Sequence, residues 1–307
     1  MSRIISHPLR SAARSAISAG LAHLQTVVDA NGIWPCEQRD RIGFSGTPSP
    51  PFLAATGVLA LEVCNDPQVE EIVARSRNFI LSHIESPGLW RWPPFEFDLD
   101  STAVCALALG AQRHAWLFLG RNVGRILSCR DSNGRFLTWV SPLGPFGMPN
   151  DTDPVVNANV VAWLGDRAET RAAQRWIESV VTDKQESGSS IWYDWPTDIY
   201  YCVSRTACVA APAFQDLMPT LTRRILSAEL EDTLRVAQAL SSLLRLRGFE
   251  HAGFLSRCAE RLIDMQHTCG GWPACEFTRA PKGVCTYWSA ALTTACCIEA
   301  LTRLTQP

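Results

Sequence analysis

The segment PGLWRWPPFEFDLDSTAVCALAL, residues 87–109, joins a turn rich in tryptophan and proline to a stretch of small apolar residues. After Asp100 this stretch carries no charged side chain up to Leu109. A helix that is apolar on every side must be buried on every side. We therefore predict an aromatic turn that leads into a buried inner helix over residues 99–112.

The same succession of helix, aromatic turn and helix recurs along the chain. Amphipathic outer helices, with Arg, Glu and Gln on one side, are predicted at residues 8–29, 68–85, 115–129, 168–184, 214–227 and 251–268. Apolar inner helices are predicted at residues 52–64, 99–112, 153–165, 198–210, 230–247 and 286–304. Five of the six pairs are joined by turns that share glycine and tryptophan: NGIWP, PGLWRWPP, NGRFLTW, SGSSIWYDWP and GGWPAC.

When six helical hairpins close into a ring, each hairpin buries its apolar face against the next, and no apolar face stays exposed at an end of the array. A chain of 307 residues with 47% hydrophobic and 19% charged residues is long enough to bury one large core. The predicted fold class is therefore all-α, an (α/α)6 barrel or toroid, and residues 1–307 are expected to form a single domain with a central cavity.

Charge and cysteine usage exclude several classes of partner. The net charge is −2, the pI is about 6.3, and no run of five like charges occurs, so nucleic acid is not an expected partner. No apolar run reaches the roughly 20 residues that span a bilayer. Most of the twelve cysteines lie in apolar helical stretches and none forms a CxxC pair, which predicts reduced thiols and a cytoplasmic protein.

Acidic residues are concentrated in the turns before the inner helices. They are Asp98, Asp100, Asp151, Asp153, Asp194, Asp198, Glu231 and Asp232. Aspartate is a preferred N-cap and acids suit the positive end of a helix, so capping is the simplest interpretation of each one alone. Because a substrate would enter an apolar barrel at this same end, their joint position also predicts a binding site.

Aromatic residues cluster in or beside the same turns, where most of them are expected to pack the hairpins together. A minority is expected to line the cavity, and aromatic faces stabilise a carbocation without offering it a nucleophile. This combination favours isoprenoid chemistry. The predicted substrate-contacting residues, including three polar ones, are Trp90, Phe95, Phe97, Ser101, Asp153, Asp198, Tyr200, Tyr201, Tyr287 and Trp288.

The motif DLDSTA, residues 98–103, resembles the Asp-x-Asp-Asp-Thr-Ala signature of class II terpene cyclases, the squalene–hopene and diterpene cyclase group. The Gly/Trp turns resemble the aromatic repeats of the same superfamily, and the resemblance covers nearly the whole chain. It implies that Asp100, which matches the central acid, protonates an alkene or epoxide, and that Asp98 is the first acid of the motif. Ser101 stands where the family usually has a third acid, which removes one charge from the cluster.

A carboxylic acid that protonates a carbon–carbon double bond must hold its proton at neutral pH and still have a stabilised conjugate base. Burial and a neighbouring carboxylate raise the pKa, which meets the first demand. A helix N-terminus and the hydroxyls of Ser101 and Thr102 would stabilise the anion, which meets the second. We therefore predict Asp100 as the general acid and Asp98 as its charge-sharing neighbour.

The predicted function is protonation-initiated cyclisation of a polyprenyl, prenyl diphosphate or meroterpenoid substrate. Proton transfer requires no cofactor, and Mg²⁺ is expected only alongside a diphosphate; no protein metal site is predicted. Because family cyclases usually build the site between this toroid and a second helical barrel, either the ring closes its own pocket, or a partner chain or homodimer completes it. Peripheral membrane association fits the same expectation of a hydrophobic isoprenoid substrate.

Two other functions remain open from the sequence. An α/α barrel also suits a carbohydrate-active enzyme with two catalytic carboxylates, which predicts a polar groove between residues such as Asp100, Asp153, Asp198 and Asp232. A degenerate, noncatalytic cyclase homologue that binds a lipid is the second. A zinc prenyltransferase is disfavoured, because GVCTYWSAALTT offers Cys285 and no histidine, and no Asp-rich motif has the spacing of a class I cyclase.

Overall fold

Twelve α-helices make up most of the chain in the computed structural model, which describes residues 5–40, 45–46, 48–85, 88–110, 121–209 and 214–306. In chain order, the helices within these ranges are α1 His7–Val27, α2 Pro51–Leu61, α3 Pro67–Ser82, α4 Leu99–Leu109, α5 Arg121–Ser128, α6 Pro154–Leu164, α7 Arg171–Thr182, α8 Pro196–Val209, α9 Met218–Leu226, α10 Thr233–Arg245, α11 Ala252–Asp264 and α12 Ala290–Thr305. The predicted helical fold is confirmed. The first part of the predicted outer helix 115–129 lies outside the described residues, and α5 accounts for the rest.

The even-numbered helices form a closed ring. Each of α2, α4, α6, α8, α10 and α12 packs against the next one, and α12 packs against α2. These helices are buried on all sides, as α10 illustrates, where every residue from Thr233 to Leu244 is buried. The outer helices bury one face only; in α7 that face consists of Ala173, Gln174, Ile177, Val180 and Val181.

Aspartates cap three of the six inner helices at one rim of the ring. Asp98 accepts a hydrogen bond from the backbone N–H of Ser101, and Asp232 accepts one from the N–H of Arg235. Asp153 accepts from two backbone N–H groups of α6. Because N-caps fix where a helix begins, these residues align the N-termini of α4, α6 and α10.

Tryptophans in two of the hairpin turns tie the turn to the preceding outer helix. Trp90 Nε1 donates to the carbonyl oxygen of Ile80 at 2.8 Å, and Trp272 Nε1 donates to that of Leu262 at 2.6 Å. Both indoles are fully buried. In these two turns the tryptophan therefore holds the hairpin together, as the sequence predicts for most of these residues.

A small four-stranded antiparallel sheet, absent from the sequence prediction, closes one side of the rim. Its strands β1 Glu37–Asp40, β2 Ser45–Gly46, β3 Cys275–Arg279 and β4 Cys285–Ser289 are ordered β2-β1-β4-β3. Residues 286–289 were predicted as the start of the last inner helix; they form β4 instead, and Ser289 caps α12. Thr286, Tyr287 and Trp288 favour strands, and their pairing with β1 joins distant parts of the chain.

No helix in the described ranges combines the length and the apolar character that a membrane crossing requires.

Candidate active site

A pocket opens at the rim, between the first turns of α4 and α6 and the β3–β4 hairpin. Its polar lining includes Asp98, Asp100, Ser101 and Thr138, while most of the surface that faces it is apolar. We refer to it as the rim pocket.

One wall of the rim pocket is a group of aromatic rings centred on Trp92. The Trp92 ring lies 5.8 Å from Phe52, 4.8 Å from Tyr287 and 6.1 Å from Phe277, measured between ring centroids. Phe52, Trp92 and Tyr287 line the pocket directly. This wall joins the α2 helix, the second aromatic turn and the sheet.

The other aromatic wall is centred on Trp139. Its ring packs edge-on against Trp192 at 5.5 Å and against Phe95 at 6.2 Å. All three residues line the rim pocket. A reactive group in this pocket therefore lies between two sets of π-faces, an arrangement that stabilises positive charge.

Asp100, the second residue of α4, lies buried in this pocket with both carboxyl oxygens held. Its Oδ1 accepts a hydrogen bond of 2.6 Å from Asn159 Nδ2 on α6, and its Oδ2 accepts one from the Tyr193 hydroxyl in the turn before α8. Asn159 Oδ1 in turn accepts a hydrogen bond from Arg205 Nη2 on α8. Three elements of the ring thus converge on one carboxyl group.

Opposing effects act on the pKa of Asp100. Burial is the largest and raises the pKa, while the hydrogen bonds from Tyr193 and Asn159 and the charge of Arg205 act against it; the net direction is upward. The pKa of Tyr193 is raised well above its ordinary value by burial and by Asp100, so its phenol stays a donor. The site therefore favours a protonated Asp100 and holds donors ready for its anion.

Asp98 is buried as well, but its oxygens are committed to the backbone. One accepts from the N–H of Ser101 at 2.5 Å and the other from the N–H of Trp92 at 3.0 Å. Burial, with the negative charge of Asp100 in support, raises its pKa to about 7, against the effect of the Ser101 hydrogen bond. Asp98 therefore fixes the aromatic turn to the first turn of α4.

A second cavity lies on the axis of the ring, and all six inner helices contribute to it. One lining residue from each helix, in the order α2 to α12, is Thr56, Val104, Asn159, Arg205, Gln238 and Cys296. We refer to it as the axial cavity. It shares two lining residues, Phe52 and Tyr193, with the rim pocket.

The residues predicted from the sequence fall into three groups. Those that line the rim pocket are Asp98, Asp100, Phe95, Ser101 and Tyr287, and those that line the axial cavity are Asp198 and Tyr201. The predicted residues that line neither are Trp90, Phe97, Asp153, Tyr200 and Trp288.

The residues that line neither cavity have other contacts. Trp288 stacks under Arg39 at 4.3 Å on the sheet, and Phe97 lies under Arg91 at 4.5 Å. The Tyr200 hydroxyl donates to Glu186. Asp153, besides capping α6, accepts from the Ser190 hydroxyl, and burial raises its pKa to about 8.

Tyr193, Asn159 and Arg205 are not among the site residues predicted from the sequence. Tyr193 lies in the turn SGSSIWYDWP, which was assigned only a packing role, and Asn159 and Arg205 lie within helices whose partners the sequence does not reveal. Polar residues on the buried inner helices were the available signal. Among the described residues, no three His, Cys, Asp or Glu side chains are grouped as ligands for one metal ion.

No family model matches the sequence. The chain is 26% identical over 253 residues to the drimenol cyclase DrtB of Aspergillus calidoustus, a match that covers 80% of this chain and 45% of that protein. The chain thus spans less than half the length of this curated relative.

Solved structures give a match over the full length. A variant of the type II terpene cyclase MstE from Scytonema, in complex with its substrate geranylgeranyl dihydroxybenzoate, aligns with a TM-score of 0.74 at 15% identity over 98% of this chain and 99% of that chain. The chain has the fold of the type II terpene cyclases. The resemblance predicted from DLDSTA and the Gly/Trp turns is thereby confirmed at the level of fold. An unsaturated glucuronyl hydrolase specific for heparin aligns less well, with a TM-score of 0.58 at 11% identity over 96% of each chain.

Proposed function

We propose that this protein is a class II terpene cyclase in which Asp100 protonates a double bond of an isoprenoid substrate and so starts its cyclisation. One observation carries the proposal: a buried aspartic acid, held by Tyr193 and Asn159, faces a pocket walled by two sets of aromatic rings. The type II cyclase MstE, which binds geranylgeranyl dihydroxybenzoate, and the drimenol cyclase DrtB support an isoprenoid substrate.

The reaction begins when the Asp100 proton adds to an alkene carbon and the neighbouring carbon becomes a carbocation. Further double bonds of the folded chain attack this cation in turn, and each attack closes a ring. The aromatic walls stabilise the moving charge without capturing it. The last cation loses a proton, or adds water and then loses a proton, so the proton that Asp100 supplies is returned to solvent.

The hydrogen bonds to Asp100 serve the first step. When the proton leaves, the carboxylate already has two donors in place, the Tyr193 hydroxyl and the Asn159 amide. Arg205 orients that amide through Asn159 Oδ1 and places a positive charge behind it. Donors that need no rearrangement as charge develops lower the barrier of the chemical step.

The carbohydrate-active alternative has less support. A glycoside hydrolase needs a second free carboxylate across the cleft. In the described part of the rim pocket the carboxyl groups are those of Asp98 and Asp100, and both oxygens of Asp98 accept backbone N–H groups. The pocket surface is also mainly apolar, which suits a hydrocarbon better than a sugar.

Exposed hydrophobic residues lie in loops beside the rim pocket. The large exposed hydrophobic residues Leu143, Ile191 and Val284 lie in the loops that follow or precede the pocket residues Trp139, Trp192 and Ala280. This apolar border supports peripheral contact with a membrane that holds the substrate.

No cofactor is part of the proposed proton transfer, and Mg²⁺ would accompany only a diphosphate substrate. Completion of the pocket by a second chain stays a prediction.

The test is incubation with a panel of isoprenyl diphosphates, neutral polyenes and prenylated aromatic acids, with products read by mass spectrometry. Wild type should give a cyclic isomer of one substrate, or its hydrate. Asp100→Asn should lower turnover by roughly 10²–10⁴-fold, the usual contribution of a general acid, while calorimetry shows retained binding. Asp232→Asn is the matched control, because it changes a capping acid outside both cavities.

Two results would count against the proposal. Undiminished turnover in Asp100→Asn would exclude this residue as the acid. Binding of an isoprenoid by wild type without any turnover would favour the noncatalytic lipid-binding homologue.

A further inference from the structure

Two aromatic side chains, Phe52 and Tyr193, line both the rim pocket and the axial cavity, and we refer to this pair as the partition between them. The Tyr193 hydroxyl is bonded to Asp100, so this ring belongs to the acid site. Phe52, the second residue of α2, is 6% exposed, and its ring packs 5.8 Å from that of Trp92. The Phe52 side chain has no polar atom, so it contributes to the partition only by its volume.

Asp100 lies beside the partition. It lines the rim pocket, whereas Asn159, which binds its Oδ1, lines the axial cavity. Tyr193, which binds its Oδ2, lines both. The acid is therefore at the deep end of the rim pocket, where a chain that enters from the rim comes to an end.

The space beyond the partition suits a hydrocarbon. Most of the surface that faces the axial cavity is apolar. Val104, Val155, Leu234, Leu292 and Phe277 contribute to that surface. A chain end that passed Phe52 would lie against these side chains.

Resting on the proposed function, we infer that Phe52 determines which double bond of the substrate Asp100 protonates. The branched end of the chain stops against the Phe52 ring, so that the terminal double bond lies beside Asp100. Without that ring the terminal isoprene unit enters the axial cavity, and the next double bond lies beside the acid. The proton then adds to the internal bond, the terminal bond survives, and the product is an isomer with one ring fewer and one double bond more.

Deuterium labelling tests the inference. Wild type and Phe52→Ala are run in D₂O with farnesyl and geranylgeranyl substrates carrying the head group that wild type accepts. The deuterium marks the protonated carbon, and NMR locates it. Wild type should carry it on the CH carbon of the terminal isoprene unit, and Phe52→Ala should carry most of it on the corresponding carbon of the second unit.

Two controls separate loss of the partition from loss of packing. Phe277→Ala removes a ring that lines only the axial cavity, and Phe95→Ala removes one that lines only the rim pocket. Both should keep the label on the terminal unit, whatever their rates. Phe52→Leu, which removes less volume from the core than Phe52→Ala, should give a mixture of the two labelled products.

The outcomes distinguish this inference from the proposed function. If Phe52→Ala or Phe52→Leu folds, turns over and still labels only the terminal unit, the inference is wrong although the cyclase activity stands. A label on the second unit in the Phe277→Ala control would also overturn it. If wild type incorporates no deuterium into any product, the proposed function itself fails.

Discussion

The hydroxyl of Tyr193, in the turn that leads into α8, donates a hydrogen bond to Asp100 Oδ2 in the first turn of α4. The two residues are 93 positions apart in the chain. Because Tyr193 also separates the two cavities, the group that supports the acid also forms part of the wall behind it. Acid strength and pocket shape are therefore linked through one side chain.

Tyr193→Phe removes one of the two donors to the Asp100 carboxylate and leaves the ring in place. A hydrogen bond to a charged group contributes about 1.5–3 kcal/mol, so we expect kcat to fall by roughly 10- to 150-fold with little change in KM. Steady-state kinetics on the substrate that wild type accepts would measure both. An unchanged kcat would show that this hydrogen bond has no role in the transition state.

Asn159→Asp keeps the shape of the side chain but replaces the amide NH₂, which donates to Asp100, with a carboxylate oxygen. A second carboxyl group beside Asp100 favours its neutral form, so the pKa of Asp100 should rise further. Because turnover needs protonated Asp100, it is lost as pH rises through this pKa, and we expect the falling limb of the kcat profile to move to higher pH. The maximum should drop by roughly 10-fold or more, since a donor to the anion is lost.

The matched variant for this prediction is Asn157→Asp, two residues earlier on α6. Asn157 is also fully buried, but it bonds to the backbone of Phe136 and Asp153 rather than to Asp100. In an Asn157→Asp variant, the falling limb of the pH profile of kcat should stay near the pH at which it lies in wild type. Equal shifts in both variants would show that the effect does not act through Asp100.

Folding stability should decrease as pH rises from about 4 to about 8. In the unfolded chain Asp98 and Asp153 ionise near their ordinary pKa of 3.8, whereas in the folded state burial raises these pKa values to about 7 and about 8. The folded state therefore holds more protons in this window, and the free energy of unfolding falls with rising pH. Urea denaturation of wild type and Asp153→Asn at several pH values measures the slope, which should be smaller in the variant. A slope of the opposite sign would contradict the pKa directions.

Asp98→Ala should lower the free energy of unfolding by about 2 kcal/mol. The substitution removes the N-cap of α4, which contributes about 1 kcal/mol, and it leaves the N–H of Trp92 without its acceptor. Asp66 caps α3 at a partly exposed position, where its side chain accepts a hydrogen bond from one backbone N–H. Asp66→Ala should lower the free energy of unfolding by about 1 kcal/mol. Equal losses in the two variants would show that the Trp92 bond contributes nothing.

The helices and the acid motif were predictable because their signals are local. An apolar run such as STAVCALAL predicts its own burial, and the position of Asp98 before it predicts a cap. The strands were not predictable in the same way. β1 pairs with β4 across more than 240 residues, and Glu37–Asp40 has no alternating apolar pattern that would mark a strand.

The partners of Asp100 were missed for a related reason. Asn159 and Arg205 reach the acid only because α4, α6 and α8 are neighbours in the ring, which no local pattern encodes. Trp90, in contrast, was proposed as a pocket residue from its place in an aromatic turn. Its indole instead donates to Ile80 and lies outside both cavities, since the sequence does not show toward which side of a turn a ring points.

The contact of α12 with α1 and α2 has a consequence for biosynthesis. The sixteen residues of this helix emerge from the ribosome after those of the other described helices, and until then α2 exposes an apolar flank that has no neighbour. The ring of inner helices cannot close before α12 has been synthesised. A polypeptide truncated before α12 would therefore be prone to aggregate and would not form a smaller working enzyme.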